Sequence, residues 1–192
     1  MKRKYLAFDI ETAKDVPGKD FDWKAHRPLG ICCAAALPGD TGKPIIWHGT
    51  GGGSGGSGGK PAPRLSQDEA RRVVEELEQF VAAGYTLLTW NGLGFDFDLL
   101  GEEADARDRC RTLAHNHVDM MFHFFCAQGY PAGLEKAAEG MGIAGKPAGM
   151  SGDQAPRLWA RGQQQQVLEY VAQYVRIALQ IGDKADQQQG YR

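Results

Sequence analysis

Hydrophobic positions in the first fifty residues follow the patterns of β-strands. Residues 4–11 read KYLAFDIE, residues 29–37 form a continuous apolar run, and residues 43–49 follow the turn-rich sequence PGDTG. A continuous apolar run of this length is typical of a fully buried strand, and turn residues between such runs are typical of hairpins. The three segments together predict an antiparallel meander.

Further along the chain, helical and strand patterns alternate. Ser66 and Glu69 form a capping box ahead of a helical hydrophobic period that ends at Gly84. Residues 85–90 have the pattern of a buried strand, and a glycine-containing turn then runs into a helix that begins near Phe95. The remaining helical patterns lie at residues 117–128, 132–143 and 163–182. This order predicts an α/β fold in which a mixed sheet is flanked by helices.

Three segments lack these periodic patterns. Residues 49–63 are rich in glycine and serine and predict a flexible spacer, either natural or engineered. Residues 146–162 have the composition of a loop, and the polar residues 183–192 predict a frayed tail. A length of 192 residues favours a single domain that covers residues 1–192.

Composition limits the classes of function. The chain has 22 basic and 24 acidic residues, a net charge of -2, which excludes a uniformly basic surface but permits a local cationic groove or bound metal ions. The N-terminal residues predict neither a signal peptide nor a membrane span. No two cysteines form a C-x-x-C pair, which favours a reducing compartment, so we expect a cytoplasmic protein without membrane contact. The four cysteines are Cys32, Cys33, Cys110 and Cys126.

Two acidic residues occur at the end of the first predicted strand. Strand alternation places Asp9 and Glu11 on one face, together with Ala7. Adjacent carboxylates repel each other and need a compensating cation, and oxygen ligands on a rigid element suit Mg²⁺ or Mn²⁺. A solvated strand end that carries two acids is an equally good interpretation of this stretch alone.

A third acid lies at a strand-to-helix junction. Asp96 occupies the first helical turn and shares a helix face with Leu99 and Leu100, so its side chain is expected to point inward. Asp98 lies on the opposite side, where a surface charge is expected. An inward acid at such a junction indicates a functional site, although a role in capping the helix is the alternative.

These motifs in this order resemble the DEDD superfamily of 3′–5′ exonucleases. The sequences FDIET and WNGLGFD, followed by a late helix with a tyrosine, are similar to the tyrosine branch that includes the proofreading domains of family B DNA polymerases and predicted prokaryotic relatives. The resemblance implies a ribonuclease H-like fold and hydrolysis of phosphodiester bonds at nucleic-acid 3′ ends by a two-metal site that holds Mg²⁺ or Mn²⁺. It implies Asp9, Glu11 and Asp96 as metal ligands and catalytic residues.

The same resemblance gives roles to other side chains. Tyr170 corresponds to the tyrosine that orients the attacking water. Thr12 and Phe95 are expected to contact the terminal nucleotide of a single-stranded substrate, with Phe95 offering a stacking surface. Asn91 is expected to hydrogen bond to the nucleic-acid strand or to orient Asp96.

The chain departs from the third motif of this family, which is Y-x-x-x-D. Tyr174 stands where the aspartate belongs, and a phenol is neutral up to about pH 10. We therefore expect a weakened metal site and slow or absent hydrolysis. The alternative for both tyrosines is ordinary packing on the flank of an amphipathic helix.

Three functional interpretations follow. The first is an impaired metal-dependent exonuclease, and the second is a catalytically inactive nucleic-acid-binding or scaffold module with the same fold. The third is a sequence selected for folding alone. His115, His117 and His123 do not have the spacing of a zinc site.

Overall fold

A mixed β-sheet forms the centre of the structure. The computed structural model describes residues 3–16, 22–50, 61–145 and 150–189, and within these ranges five strands are arranged in the order β3-β2-β1-β4-β5. Strand β2 pairs antiparallel with β1 and β3, whereas β4 pairs parallel with β1 and β5. The predicted meander and mixed sheet are confirmed. The strands are β1 (Lys4–Thr12), β2 (Ile31–Pro38), β3 (Ile45–His48), β4 (Tyr85–Thr89) and β5 (His117–Asp119).

Helices cover both faces of the sheet. Helices α1 to α3 pack on the face that buries Leu6, Phe8 and Ile10, and α4 to α7 pack on the face that buries Tyr5 and Ala7. Because β1 is central, its side chains are buried on both faces up to its C-terminal end. The helices are α1 (Gln67–Ala82), α2 (Asp96–Glu103), α3 (Arg107–His115), α4 (Met120–Gln128), α5 (Leu134–Gly140), α6 (Ala155–Ala160) and α7 (Gln164–Gln189).

Tertiary contacts change several predicted element boundaries. Residues 117–119, predicted as helix, form strand β5, because they pair with the edge of β4. Residues 155–160, predicted as loop, form α6, and Trp159 of this helix is buried and donates its indole N–H to the carbonyl of Ala62. Helix α3 follows α2 as a separate helix after Asp105, which has a φ of 50°.

The last helix extends beyond the predicted end at residue 182. Helix α7 continues to Gln189, whereas residues 183–192 were expected to fray. Gly182 does not end the helix; a Cβ there would lie 2.4 Å from Cδ1 of Leu88, so its lack of a side chain permits close packing on β4. The Tyr5 hydroxyl donates to Asp186 at 3.0 Å and holds the extra turns. Residues 190–192 lie outside the described residues.

Both ends of the glycine- and serine-rich segment are held in place. The N–H of Ala62 donates to the carbonyl of Gly49 at 2.8 Å, and the Thr50 hydroxyl donates to Glu69 at 2.7 Å. Glu69 also completes the predicted capping box with Ser66. Residues 51–60, the centre of the predicted spacer, lie outside the described residues. Among the described helices, none combines the length and apolar character that crossing a membrane requires.

Candidate functional site

Strand β1 delivers two buried carboxylates to one end of the sheet. Asp9 and Glu11 are 7% and 6% exposed, so the interpretation of a solvated strand end does not hold. They project toward α7, on the face opposite Phe8 and Ile10, as the strand alternation predicts. The pairing of β1 with β2 is regular up to Glu11 and shifts register between Glu11 and Thr12. The two acids therefore lie where regular sheet structure ends.

A rigid turn connects β4 to α2. Asn91 adopts a φ of 72°, and Gly92 donates its N–H to the Thr89 hydroxyl at 3.1 Å. A Cβ at Gly92 would lie 2.3 Å from that hydroxyl oxygen, so the turn requires glycine at this position. The Asp119 carboxylate accepts the N–H groups of Asn91 and Leu93 at 3.0 and 3.1 Å. These contacts fix the start of α2.

Asp96, the first residue of α2, points into the protein as predicted. It is 2% exposed, and the backbone N–H of Ile10 hydrogen bonds to its carboxylate. Burial raises the pKa of Asp96 to about 7, and the negative charge of Asp119 adds to this rise. Its Oδ1 atom is buried without a hydrogen-bond partner. Asp98, by contrast, forms ion pairs with Arg27 and Arg107 near the surface.

The two tyrosines of α7 lie next to the acids. Their ring centroids are 6.2 Å apart. Burial raises the pKa of the Tyr170 phenol, and the negative charges of Glu11 and Asp9 raise it further. Burial likewise raises the pKa of Tyr174, where Asp9 and Asp96 contribute next. Both phenols are therefore neutral near pH 7, and Tyr174 lies close to acids from both β1 and α2.

A single cavity of about 740 Å³ brings the predicted residues together. The loop before α6 closes one side of it: a Cβ at Gly152 would lie 3.7 Å from both Glu11 Oε2 and the Tyr170 hydroxyl. The cavity lining includes every side chain that the sequence indicated for the site, namely Asp9, Glu11, Thr12, Asn91, Phe95, Asp96, Tyr170 and Tyr174.

Aromatic packing holds Phe95 at the cavity wall. The Trp23 ring lies 5.0 Å from the Phe95 ring at an angle of 75°. The Arg27 guanidinium lies 4.7 Å from the centroid of Trp23 and is itself paired with Asp98 and Glu102 of α2. The segment around Trp23 therefore supports the residue that we expected to stack on a base.

Sequence reasoning missed two charged residues of the cavity. Lys14 lines it and donates its ammonium to the carbonyl of His26 at 2.7 Å. Asp153 also lines it and pairs with Arg157 at 3.8 Å. The only signal for Lys14 in the sequence was its position three residues after Glu11. Arg157 also pairs with Asp15, at 3.2 Å.

The carboxylates fit a divalent cation in their chemistry but not in their arrangement. Carboxylate oxygens suit Mg²⁺ or Mn²⁺, and the unpartnered Oδ1 of Asp96 is a suitable donor. Within the described part of the chain, however, no three His, Cys, Asp or Glu side chains form a group that could hold a metal ion. Asp9, Glu11 and Asp96 are thus not a complete metal site, and their assignment as ligands stays a prediction.

Similarity to a solved family B DNA polymerase structure confirms the predicted fold. The chain is similar to the family B DNA polymerase from the hyperthermophilic archaeon Pyrobaculum calidifontis, with a TM-score of 0.68 and 18% identity over 96% of this chain. It spans 24% of that polymerase chain. A product-bound exonuclease I gives a TM-score of 0.48 and 15% identity, covering 88% of this chain and 46% of that one.

A family model gives the clearest assignment. No curated protein sequence matches the chain. The model described as the RNase_H superfamily matches residues 57–178, which is more than half of the 192 residues. This range contains Asp96 and both tyrosines and excludes strand β1. The chain belongs to the RNase_H superfamily.

Proposed function

We propose that the chain is a metal-dependent 3′–5′ exonuclease-like protein that binds the 3′ ends of single-stranded nucleic acid and hydrolyses them slowly. The observation that carries this proposal is the convergence of eight predicted residues on one cavity, from β1, the β4–α2 turn and α7. A cavity of about 740 Å³ has the size of a small-ligand site and can receive a terminal nucleotide. The proposal includes a reducing, cytoplasmic location, supported by four free cysteines.

The residues of the chain provide binding and orientation. Phe95, supported by Trp23, offers a flat ring for the terminal base. Thr12 and Asn91 offer hydrogen bonds to the sugar and phosphate. Lys14, three residues after Glu11 in the sequence, offers a positive charge. The neutral phenol of Tyr170 can donate a hydrogen bond to a water molecule beside Glu11. Divalent ions, when bound, would supply the charge that activates water and stabilises the leaving oxygen.

Tyr174 is the reason for slow hydrolysis in this proposal. Its neutral phenol lies close to acids of both β1 and α2, at the position where the resemblance implies a fourth carboxylate. A phenol with a raised pKa neither carries a negative charge nor coordinates Mg²⁺ well. The metal ions would therefore bind weakly to the remaining three carboxylates.

A second candidate is a catalytically inactive nucleic-acid-binding or scaffold module. The observation in its favour is that the described residues contain no group of three side chains able to hold a metal ion. In this case the cavity binds nucleic acid, and the protein does not hydrolyse it at any metal concentration.

An assay with a 3′-end-labelled single-stranded oligonucleotide separates the two candidates. With Mn²⁺ or Mg²⁺, the chain is expected to release labelled mononucleotide slowly, and Glu11→Gln is expected to abolish release because it removes one of three carboxylate charges. The exposed, paired Asp108 provides a control, since Asp108→Asn should leave release unchanged. Binding without release would favour the inactive module. If the chain neither binds the oligonucleotide nor releases mononucleotide, the proposal is overturned.

A further inference from the structure

One side of helix α4 is apolar and open to solvent. Among the residues that the structure describes, four large hydrophobic side chains are exposed, and three of them belong to α4 or to the β4–α2 turn. These three are Leu93, Phe122 and Phe125, which are 53%, 56% and 44% exposed. The fourth is Tyr130, just beyond the end of α4. Exposed hydrophobic side chains are normally scattered singly, so their concentration at one place indicates a contact surface.

The exposed residues lie side by side. The Phe122 and Phe125 rings are stacked, with centroids 6.3 Å apart and an angle of 13° between the rings. Asp119 connects Leu93 to this pair, because its carboxylate accepts the N–H of Leu93 at 3.1 Å and the N–H of Phe122 at 3.2 Å. Cys126 is also exposed and lies one helical turn after Phe122. We call Leu93, Phe122, Phe125 and Cys126 the α4 patch.

Helix α4 is apolar on both of its sides. Toward the protein, Met120 is 2% exposed, and the Phe124 ring lies 5.6 Å from the Trp90 ring. Toward solvent lie Phe122 and Phe125, and the helix contains no Asp, Glu, Lys or Arg. The outer side of a surface helix is normally charged or polar, whereas a helix that is apolar all round is normally buried. The composition of α4 therefore indicates that another surface covers it.

The lack of charge on the α4 patch decides which partner fits it. Nucleic acid requires Lys or Arg side chains that neutralise its phosphates, and the four patch residues include neither. A charged protein surface would lose the hydration of its ionic groups at this patch without gaining an opposite charge. A second copy of the patch brings no charge to the contact, and a net charge of -2 on each chain produces little repulsion. The patch is therefore complementary to itself.

The size of the patch suits the centre of a small symmetric interface. Aromatic side chains have roughly 150–250 Å² of surface each, so the exposed part of the patch amounts to roughly 300 Å². A standard interface covers about 800 Å² per partner, with an apolar centre and a polar rim. Two-fold dimers are the commonest assemblies of identical chains, and the same patch lies on both sides of their interface. Two α4 patches can form the apolar centre of such a dimer.

We propose that two copies of this chain associate through their α4 patches, with the Phe122 and Phe125 rings of the two copies packed together about a two-fold axis. The patch lies on a helix and on a turn that Asp119 holds in place, so association costs little conformational freedom. None of the four patch residues lines the carboxylate cavity, so the contact does not occupy that cavity. The dimer is therefore compatible with the proposed function and does not depend on it.

Sedimentation velocity of the full chain in reducing buffer, across roughly 1–100 µM, tests this association. An interface of this size is expected to give a dimer with a dissociation constant on the order of 10 µM. Phe122→Glu and Phe125→Glu each place a negative charge in the contact and are each expected to raise this constant at least about 30-fold. Position 122 lies in the first turn of α4, where an acid favours the helix, so Phe122→Glu is expected to fold.

The thiol of Cys126 provides an independent readout. It is exposed, whereas the other three cysteines are buried, namely Cys32, Cys33 and Cys110. A flexible bismaleimide is therefore expected to link two wild-type chains through Cys126 and to fail with Phe122→Glu, which retains this thiol. Gln79→Glu is the matched control, because it adds the same charge at an exposed position of α1, on the other face of the sheet. It should change neither the dimer nor the cross-link.

Three results would overturn the inference. The first is a wild-type chain that stays monomeric over the whole concentration range. The second is a dimer that persists in both Phe122→Glu and Phe125→Glu, because its contact would then lie elsewhere. The third is a wild-type dimer that does not cross-link through Cys126. Thermal unfolding checks that both variants fold, and the proposed function is measured separately, by binding of an oligonucleotide.

Discussion

Replacing Tyr174 with aspartate is expected to raise the rate of 3′-end cleavage by a factor on the order of 100 or more. The estimate follows from metal sites, in which even the loss of groups that only orient a ligand typically costs about 10–100-fold. Tyr174 lies near Asp9 and Asp96, so a carboxylate on this turn of α7 would complete a set of four acids. The measurement is the release of mononucleotide from a 3′-labelled single strand with Mn²⁺.

A second readout separates metal binding from catalysis. A fourth acid increases repulsion in the cavity, so Tyr174→Asp should lower the melting temperature without metal. Adding Mn²⁺ should restore it, because an ion at 100 times its Kd stabilises the folded state by about 2.7 kcal/mol. The wild-type chain should respond less to the same concentration of Mn²⁺.

Tyr174→Asn is the matched control for this experiment. It removes the same ring and introduces a side chain the size of aspartate without its charge. Cleavage by Tyr174→Asn at the rate of Tyr174→Asp would show that the ring only blocks the cavity. Equal cleavage by the wild-type chain and Tyr174→Asp would contradict the proposal that Tyr174 impairs the site.

The second large effect is expected from Asp119→Ala, which should destabilise the fold by about 3 kcal/mol. The Asp119 carboxylate is 8% exposed and accepts N–H groups from Asn91, Leu93 and Phe122. Hydrogen bonds to a charged group contribute about 1.5–3 kcal/mol, and the donors left without an acceptor add to the cost. For a chain of this length we expect the melting temperature to fall by roughly 6–12 °C.

The control for Asp119 is an acid whose carboxylate is exposed. Asp108 pairs with Arg111 at 2.7 Å, but its side chain is 92% exposed, so Asp108→Ala should cost less than about 0.5 kcal/mol. Urea unfolding monitored by circular dichroism measures both variants. A loss below about 1 kcal/mol for Asp119→Ala would show that the β4–α2 turn does not depend on this carboxylate.

Sequence patterns predicted the parts of the fold that are determined by contacts between residues close together in the sequence. The alternation in β1 placed Asp9 and Glu11 on one face, and the helical spacing of Asp96 with Leu99 and Leu100 pointed it inward. The capping box of Ser66 and Glu69 gave the start of α1, which is present as expected. In each case the determining contacts are between residues a few positions apart.

Features that depend on distant contacts could not be predicted from the sequence. The three residues of β5 form a strand because β4 lies beside them, and Gly182 continues α7 because it packs against Leu88. The role of Asp119 in holding the β4–α2 turn involves residues 26 and 28 positions away.

The central claim, that the carboxylate cavity receives a 3′ end, is tested most directly by comparing a linear single strand with a covalently closed circle of the same sequence. Both are measured as competitors for binding of a labelled oligonucleotide to the wild-type chain in Ca²⁺. The account predicts that the linear strand competes at least about tenfold better, since the cavity of about 740 Å³ accommodates a terminal nucleotide. Equal competition by the circle would contradict it.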